Sequence, residues 1–387
     1  MHIGILDGVR ATAVLGVAWF HIWQQSWLDA SLSISGFHLD FNWIPRSGFL
    51  FVDVLILLSG FCLFLPYARH MVEGLPYPKT KSFYLKRIAR IIPSYWFCLF
   101  FILFVFVLPN DEFNGDARAL WKDLLTHLSF TQVFWQETYH WTKLNVVLWT
   151  LAIEVQFYLI FPAIAWAFVR QPIVSYFVMV AAASIFRELI MPKDHAQLSM
   201  WFNQLPNFLD VYANGMLGAL AYVRLARLVS QEEENAYPLL YTLGTAVFAF
   251  CLYLLMKQLS YVSGLDEINA WQTSKRFAYS ILFISFIISA GFSYSWLQTV
   301  LSNAATRFIS LISYNFFIWH QYLAVKMKTW HIPASISQTP NFSGEVEWQH
   351  KYTLFAFAGS FLLATLLTYC LEKPVTGILQ KRWNIAS

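Results

Sequence analysis

Arg10 and His21 stand eleven residues apart in DGVRATAVLGVAWFH, an otherwise apolar run near the start of the chain. Over that interval an α-helix turns about 1100°, some 20° from three whole turns, so both side chains leave one face, roughly 16 Å apart along the axis. A histidine beside a reacting hydroxyl can take its proton as general base, while an arginine keeps its charge throughout. Asp7, three residues before Arg10, falls on a neighbouring part of that face and offers an ion-pair partner. A structural reading competes at this stage: a buried ion pair plus a core histidine bonded to another helix.

Three further ionisable residues interrupt apolar runs: Asp53 in FVDVLILLSGF, Glu154 in LWTLAIEVQFYLIFP and His320 in SLISYNFFIWHQYL. In hydrocarbon each requires an inward-facing partner. Four such groups on four segments imply a polar chamber inside a helix bundle. The stretch SFYLKRIARIIPSYW adds Lys86, Arg87 and Arg90 at i, i+1 and i+4, where one helical turn gathers them, and Pro93 then marks the entry to an apolar run. Such a cluster either contacts lipid phosphates and sets topology or clamps a polyanion, because guanidinium groups bind phosphate bidentately. Pyrophosphate beside an intramembrane histidine suggests a nucleotide-bearing group donor, with coenzyme A the obvious case.

The elements that must position these residues are transmembrane helices. Hydrophobic residues make up 58% of the 387 and charged residues only 12%, against roughly 45–50% and about 25% in soluble domains. About 20 apolar residues span the hydrocarbon core, and such segments recur at about 9–27, 50–67, 90–108, 147–169, 173–190, 207–226, 238–256, 276–294, 307–325 and 352–371. The expected fold is an all-α, polytopic bundle of about ten spans forming one integral membrane domain over 1–387, without repeats or an appended soluble domain. The fifth span closes on Arg187 and Glu188, and Asp210 and Asn214 interrupt the sixth. The N-terminus lacks a basic region and a small-residue cleavage site, so it reads as a retained helix rather than a cleaved signal. Cys62, Cys98, Cys251 and Cys370 form no metal-ligand spacing; they read as lipid- or core-facing fillers, and no metal is expected. Six basic residues lie in ARHMVEGLPYPKTKSFYLKRIAR, which puts residues 68–90 and both termini in the cytoplasm and the protein in the inner (plasma) membrane.

Taken in order, DGVRATAVLGVAWFH, FVDVLILLSGF, FYLKRIARIIPSYW, WTLAIEVQFYLIFP, SYNFFIWHQYL and LEKP resemble the acyltransferase-3 family of integral membrane acyltransferases, over nearly the whole chain. The resemblance implies about ten spans and transfer of an acyl group, often acetyl from acetyl-CoA, to a hydroxyl of a carbohydrate or another acceptor. It puts His21 in the place of the essential histidine and Arg10 in that of its basic partner. Arg87 and Arg90, with Lys86 beside them, match the donor side. Glu154, grouped with the catalytic pair, and His320 match recurrent polar positions, and Asp53 joins them in the chamber. The second motif is poorer in Gly and Phe than is usual, and Thr150 stands where Ser is frequent; neither removes a reacting group. Without the esterase-like domain of many members that act on peptidoglycan, the expected acceptor is surface polysaccharide or lipopolysaccharide. The alternatives are a small hydrophobic natural product such as a macrolide and, in a different class, a proton-coupled secondary transporter. Expected partners are membrane lipid, acyl-CoA and the acceptor, with no nucleic acid.

Overall fold

The computed structural model describes residues 3–34, 36–191, 195–229 and 237–383. Among them ten helices are long enough to matter for a bilayer: α1 Ile5–Ser26, α2 Phe51–Glu73, α3 Thr80–Ile102, α4 Trp149–Arg170, α5 Pro172–Ile190, α6 Leu209–Val229, α7 Pro238–Ser260, α8 Leu265–Gly291, α9 Ala304–Thr329 and α10 Val346–Leu367. Each overlaps one expected span. Seven of them (α1, α2, α3, α4, α5, α7 and α10) lie in segments both long and apolar enough to cross a membrane. The chain is therefore an all-α, multi-pass membrane bundle. The expectation of ten spans is not confirmed. Helices α6, α8 and α9, of 21, 27 and 26 residues, have the length, about 31 Å or more, but polar side chains dilute their apolar character.

Those polar side chains turn inward. Asp210 on α6 is fully buried and receives both Nη1 and Nη2 of Arg187 on α5, each at 2.7 Å. The same guanidinium donates from Nε to Asn207 Oδ1 and from Nη2 to the Asn207 carbonyl, again at 2.7 Å. Asn214 donates to Ser280 on α8 at 2.7 Å and accepts from Tyr176 on α5 at 2.8 Å. Arg187 and Asp210, which weaken the fifth and sixth spans in the sequence, thus neutralise each other between adjacent helices. Helices α2 and α6 form the centre of the packing. Methyl groups added at Gly60 and Gly215 would lie 2.6 Å from the Tyr212 carbonyl and 2.2 Å from the Leu57 carbonyl. Only glycine lets the two backbones touch there.

One feature departs from the all-α expectation. Ser31–Ile34 and Phe37–Asp40 pair as a small antiparallel two-stranded sheet. The connection at 109–146 contains the short helices Ala117–Leu128 and Gln136–Tyr139. Pro93 is internal to α3, which begins ten residues before the expected span. A proline inside a helix leaves the carbonyl four residues back without its amide donor. That carbonyl is Ala89's, and Thr376 Oγ1 donates to it at 2.8 Å. The bond ties α3 to the helix Lys373–Arg382, which continues from α10 through a π-helical turn over Thr368–Glu372. Asn315 on α9 clasps that turn, donating to Thr368 Oγ1 at 3.0 Å and Glu372 Oε2 at 2.7 Å.

Candidate active site

Three neighbouring cavities lie in the bundle, each sharing wall residues with the next. The first is a mouth of about 1490 Å³ whose wall carries Lys86, Arg87 and Arg90 from α3, Arg10 from α1, Arg307 from α9 and Lys373. Asp7 and Glu372 also line it, Asp7 accepting from Ser310 at 2.8 Å. Helical spacing gathers the α3 cations as the sequence indicates. Arg307 and Lys373 come from remote segments, and no local pattern joins them to α3. The Arg87 guanidinium lies 5.9 Å from the centre of the Phe83 ring and 5.6 Å from that of Tyr158, and its buried Nε has no partner in the protein. A planar cation held by its faces with an edge donor unspent suits an oxyanion.

Arg10, Arg87 and Arg90 also line the second cavity, an inner chamber of about 890 Å³. Here lies Glu154, which accepts from Ser59 at 3.1 Å and from the Tyr158 hydroxyl one turn later. Cys62 lines the same chamber, with Arg10 Nη2 3.8 Å from its sulfur. Cys98 is buried and Cys370 exposed, and all four thiols are free.

Val52, Thr150 and Phe317 line both the inner chamber and the third cavity, a far chamber of about 730 Å³ that contains His21 and Asp53. Behind His21 stands His320, fully buried, with its Nε2 2.8 Å from His21 Nδ1. The Nδ1 of His320 faces two carbonyls of its own helix, Phe317 at 2.8 Å and Phe316 at 3.2 Å. A carbonyl only accepts, so in the neutral pair that nitrogen carries the proton and Nε2 is bare. His21 must then donate from Nδ1, which leaves its own Nε2 as the nitrogen free to accept a proton. One edge of α9 thereby selects the tautomer of His21. The position of α9 is fixed in turn by Asn145, whose side chain donates to the Ile318 carbonyl at 2.9 Å.

The expected single chamber is thus two. His21 and Asp53 share the far one, and His320 touches His21 from outside it. Arg10 and Glu154 share the inner one and are not brought to His21. Sequence reading missed Arg276 and Gln272 on α8, and Asn203, all in the wall of the far chamber. Arg276 opens the expected eighth span and resembles an ordinary flanking charge; only its pairing with Asp53, 223 positions away, distinguishes it. No group of three or more His, Cys, Asp or Glu among the described residues has the arrangement of a metal site.

Against known proteins, a family model described as an acyltransferase domain matches residues 3–372. The chain is 23% identical over 389 residues to the peptidoglycan O-acetyltransferase of Listeria monocytogenes, covering 97% of this chain and 56% of that protein. It is 25% identical over 400 residues to a Bacillus subtilis protein provisionally named a peptidoglycan O-acetyltransferase, covering 96% and 54%. A Staphylococcus aureus protein provisionally named an O-acetyltransferase matches at 23% over 327 residues, covering 81% and 49%. The chain spans about half the length of these relatives. No solved structure matches it.

Proposed function

The chain belongs to the acyltransferase-3 family, and from that premise we propose that it moves an acyl group, acetyl in the first instance, from an acyl-CoA to a hydroxyl of a surface carbohydrate. The observation that carries this reading is the succession of cavities from the cationic mouth, through the inner chamber, to His21. Coenzyme A has the matching polarity along its length: phosphates at one end, an extended uncharged arm, and the thioester at the other. The rise from Arg10 to His21, about 16 Å, is a distance such an arm must cover. Of the residues, Arg87, Arg90 and Lys86 hold phosphate at the mouth, assisted by Arg10, Arg307 and Lys373. Glu154, fixed by Ser59 and Tyr158, lines the passage of the arm. His21 Nε2 takes the acceptor's proton as its oxygen attacks the thioester, and His320 orients the ring.

The glycan acceptor gains support from the relatives named for peptidoglycan, so peptidoglycan stands beside surface polysaccharide and lipopolysaccharide. Incubating purified full-length protein with acetyl-CoA and a glycan acceptor should release free thiol in step with acetyl ester. A protein that leaves acetyl-CoA intact under every acceptor tried defeats the reading.

The donor clamp has its own test. Arg87→Ala and Arg90→Ala each remove a charge-assisted contact worth about 1.5–3 kcal/mol, which is about ten- to 150-fold in affinity. Calorimetry with coenzyme A should show that loss, with lysine restoring only part of it because the bidentate fork is gone. Unchanged affinity in both folded variants would refute the clamp.

The proposed topology is a single domain of ten crossings with both ends in the cytoplasm of a bacterial plasma membrane, α6, α8 and α9 completing the seven apolar spans. The outermost residues, 1–2 and 384–387, lie outside the described ones. A cysteine introduced at Lys81 should react with an impermeant maleimide only after the cytoplasmic face is opened. Labelling in intact cells would reverse the orientation and remove the mouth's access to a cytosolic donor.

A further inference from the structure

Arg276 is only 3% exposed. Its Nε donates to Asp53 Oδ2 at 3.0 Å, its Nη2 donates to Gln272 Oε1 at 2.7 Å, and its plane lies 4.5 Å from the centre of the Phe208 ring. Two edges and one face of the guanidinium are therefore fixed. Nη1 is buried with no hydrogen-bonding partner in the protein, and Arg276 lines the far chamber together with His21. Asp210 and Arg187, the nearest other charged pair, satisfy each other and Asn207. Burying an unpaired charged donor is costly. A group rigidly held at the reacting end of a cavity with one donor pair unspent has the form of a preorganised oxyanion site.

We propose that Arg276 Nη1 donates to the oxygen of the acyl carbonyl and stabilises the negative charge it develops during transfer; this rests on the acyl-transfer reading above. In that step the acceptor oxygen forms a bond to the thioester carbonyl carbon, the C=O π pair moves onto oxygen, and the hydroxyl proton passes to His21 Nε2. Collapse re-forms the carbonyl, breaks the C–S bond, and returns the proton from His21 to the departing thiolate. Full charge resides on the oxygen only between the two events, so Arg276 acts on the turnover rate and not on donor binding. Asp53 and Gln272 are positioning residues: they aim the guanidinium and touch neither reactant.

The experiment compares full-length wild type, Arg276→Lys, Arg276→Ala and the double variant Asp53→Asn with Arg276→Gln, which removes both charges and leaves no unpaired carboxylate. Acetyl transfer to a glycan acceptor and coenzyme A binding are measured on each, with folding checked by thermal melting. Arg276→Lys and the double variant are expected to lose about 10²–10³-fold in kcat while the donor Kd stays unchanged. Guanidinium ion added to folded Arg276→Ala should restore part of the rate, a response that loss of a merely structural ion pair would not give. A folded double variant turning over like wild type overturns the oxyanion assignment alone. Wild type that binds coenzyme A and transfers nothing defeats the acyl-transfer reading, and this inference with it.

Discussion

His21→Ala is expected to slow acyl transfer about 10²–10⁴-fold, the range that a positioned general base contributes, while coenzyme A affinity and the melting temperature stay near wild type. A sugar hydroxyl is a poor nucleophile until its proton is drawn off, and His21 is the ring in the far chamber with a free nitrogen to draw it. The expectation extends to the partner ring. Because His320 Nε2 receives the His21 Nδ1 proton, an acceptor at position 320 holds the tautomer in which His21 Nε2 is bare. His320→Phe loses that acceptor and should lose most of the activity through kcat, with donor KM unchanged. His320→Gln can present its amide oxygen and should recover a measurable part. His21→Gln keeps a hydrogen-bonding group without a base and should be nearly as slow as His21→Ala. Substantial transfer by folded His21→Ala would remove the base from the mechanism, and equal rates for His320→Phe and His320→Gln would remove the tautomer argument.

The second large effect concerns stability. Asp210→Ala should destabilise the bundle by about 3–5 kcal/mol, the usual cost of leaving one member of a buried ion pair uncompensated. Both carboxylate oxygens are committed to Arg187, and both side chains are almost wholly buried. Arg187→Met should cost a similar amount by stranding Asp210. Combining Arg187→Met with Asp210→Leu removes both charges and should recover most of the loss, since apolar residues of like volume often replace a buried pair at little net cost. Thermal melting of the purified protein in detergent reads this directly. Single variants that melt with wild type, or a double variant no better than the singles, would show that the pair carries no such weight.

The helices were legible because twenty-residue apolar runs have few alternatives in lipid, and the overlap of α1 through α10 with the expected spans follows from that constraint. The α3 cations were legible for a local reason, their spacing within one turn. What stayed hidden is what long-range packing creates. Nothing near Asp53 announces Arg276, nothing near Lys86 announces Arg307 or Lys373, and the contact of His21 with His320 spans 299 positions. The split into inner and far chambers is equally invisible, since it depends on which side chains α2, α4 and α9 turn toward each other. Equally hidden is how Pro93 is accommodated inside α3: a hydroxyl, Thr376, from a distant segment satisfies the carbonyl it strands.

The partition built from Val52, Thr150 and Phe317 has a consequence for the cell's energy supply. A plasma membrane stores its working capital as a proton gradient, and a continuous wet path from the basic mouth to the far chamber would drain it through histidines suited to passing protons along. Two apolar side chains and one hydroxyl form the wall common to the two chambers. The slender arm of the donor is the kind of object that can part such a partition and plug it at once, so the passage need open only when something already fills it. On the proposed reading, the donor's acyl group would then reach the far chamber without opening a leak.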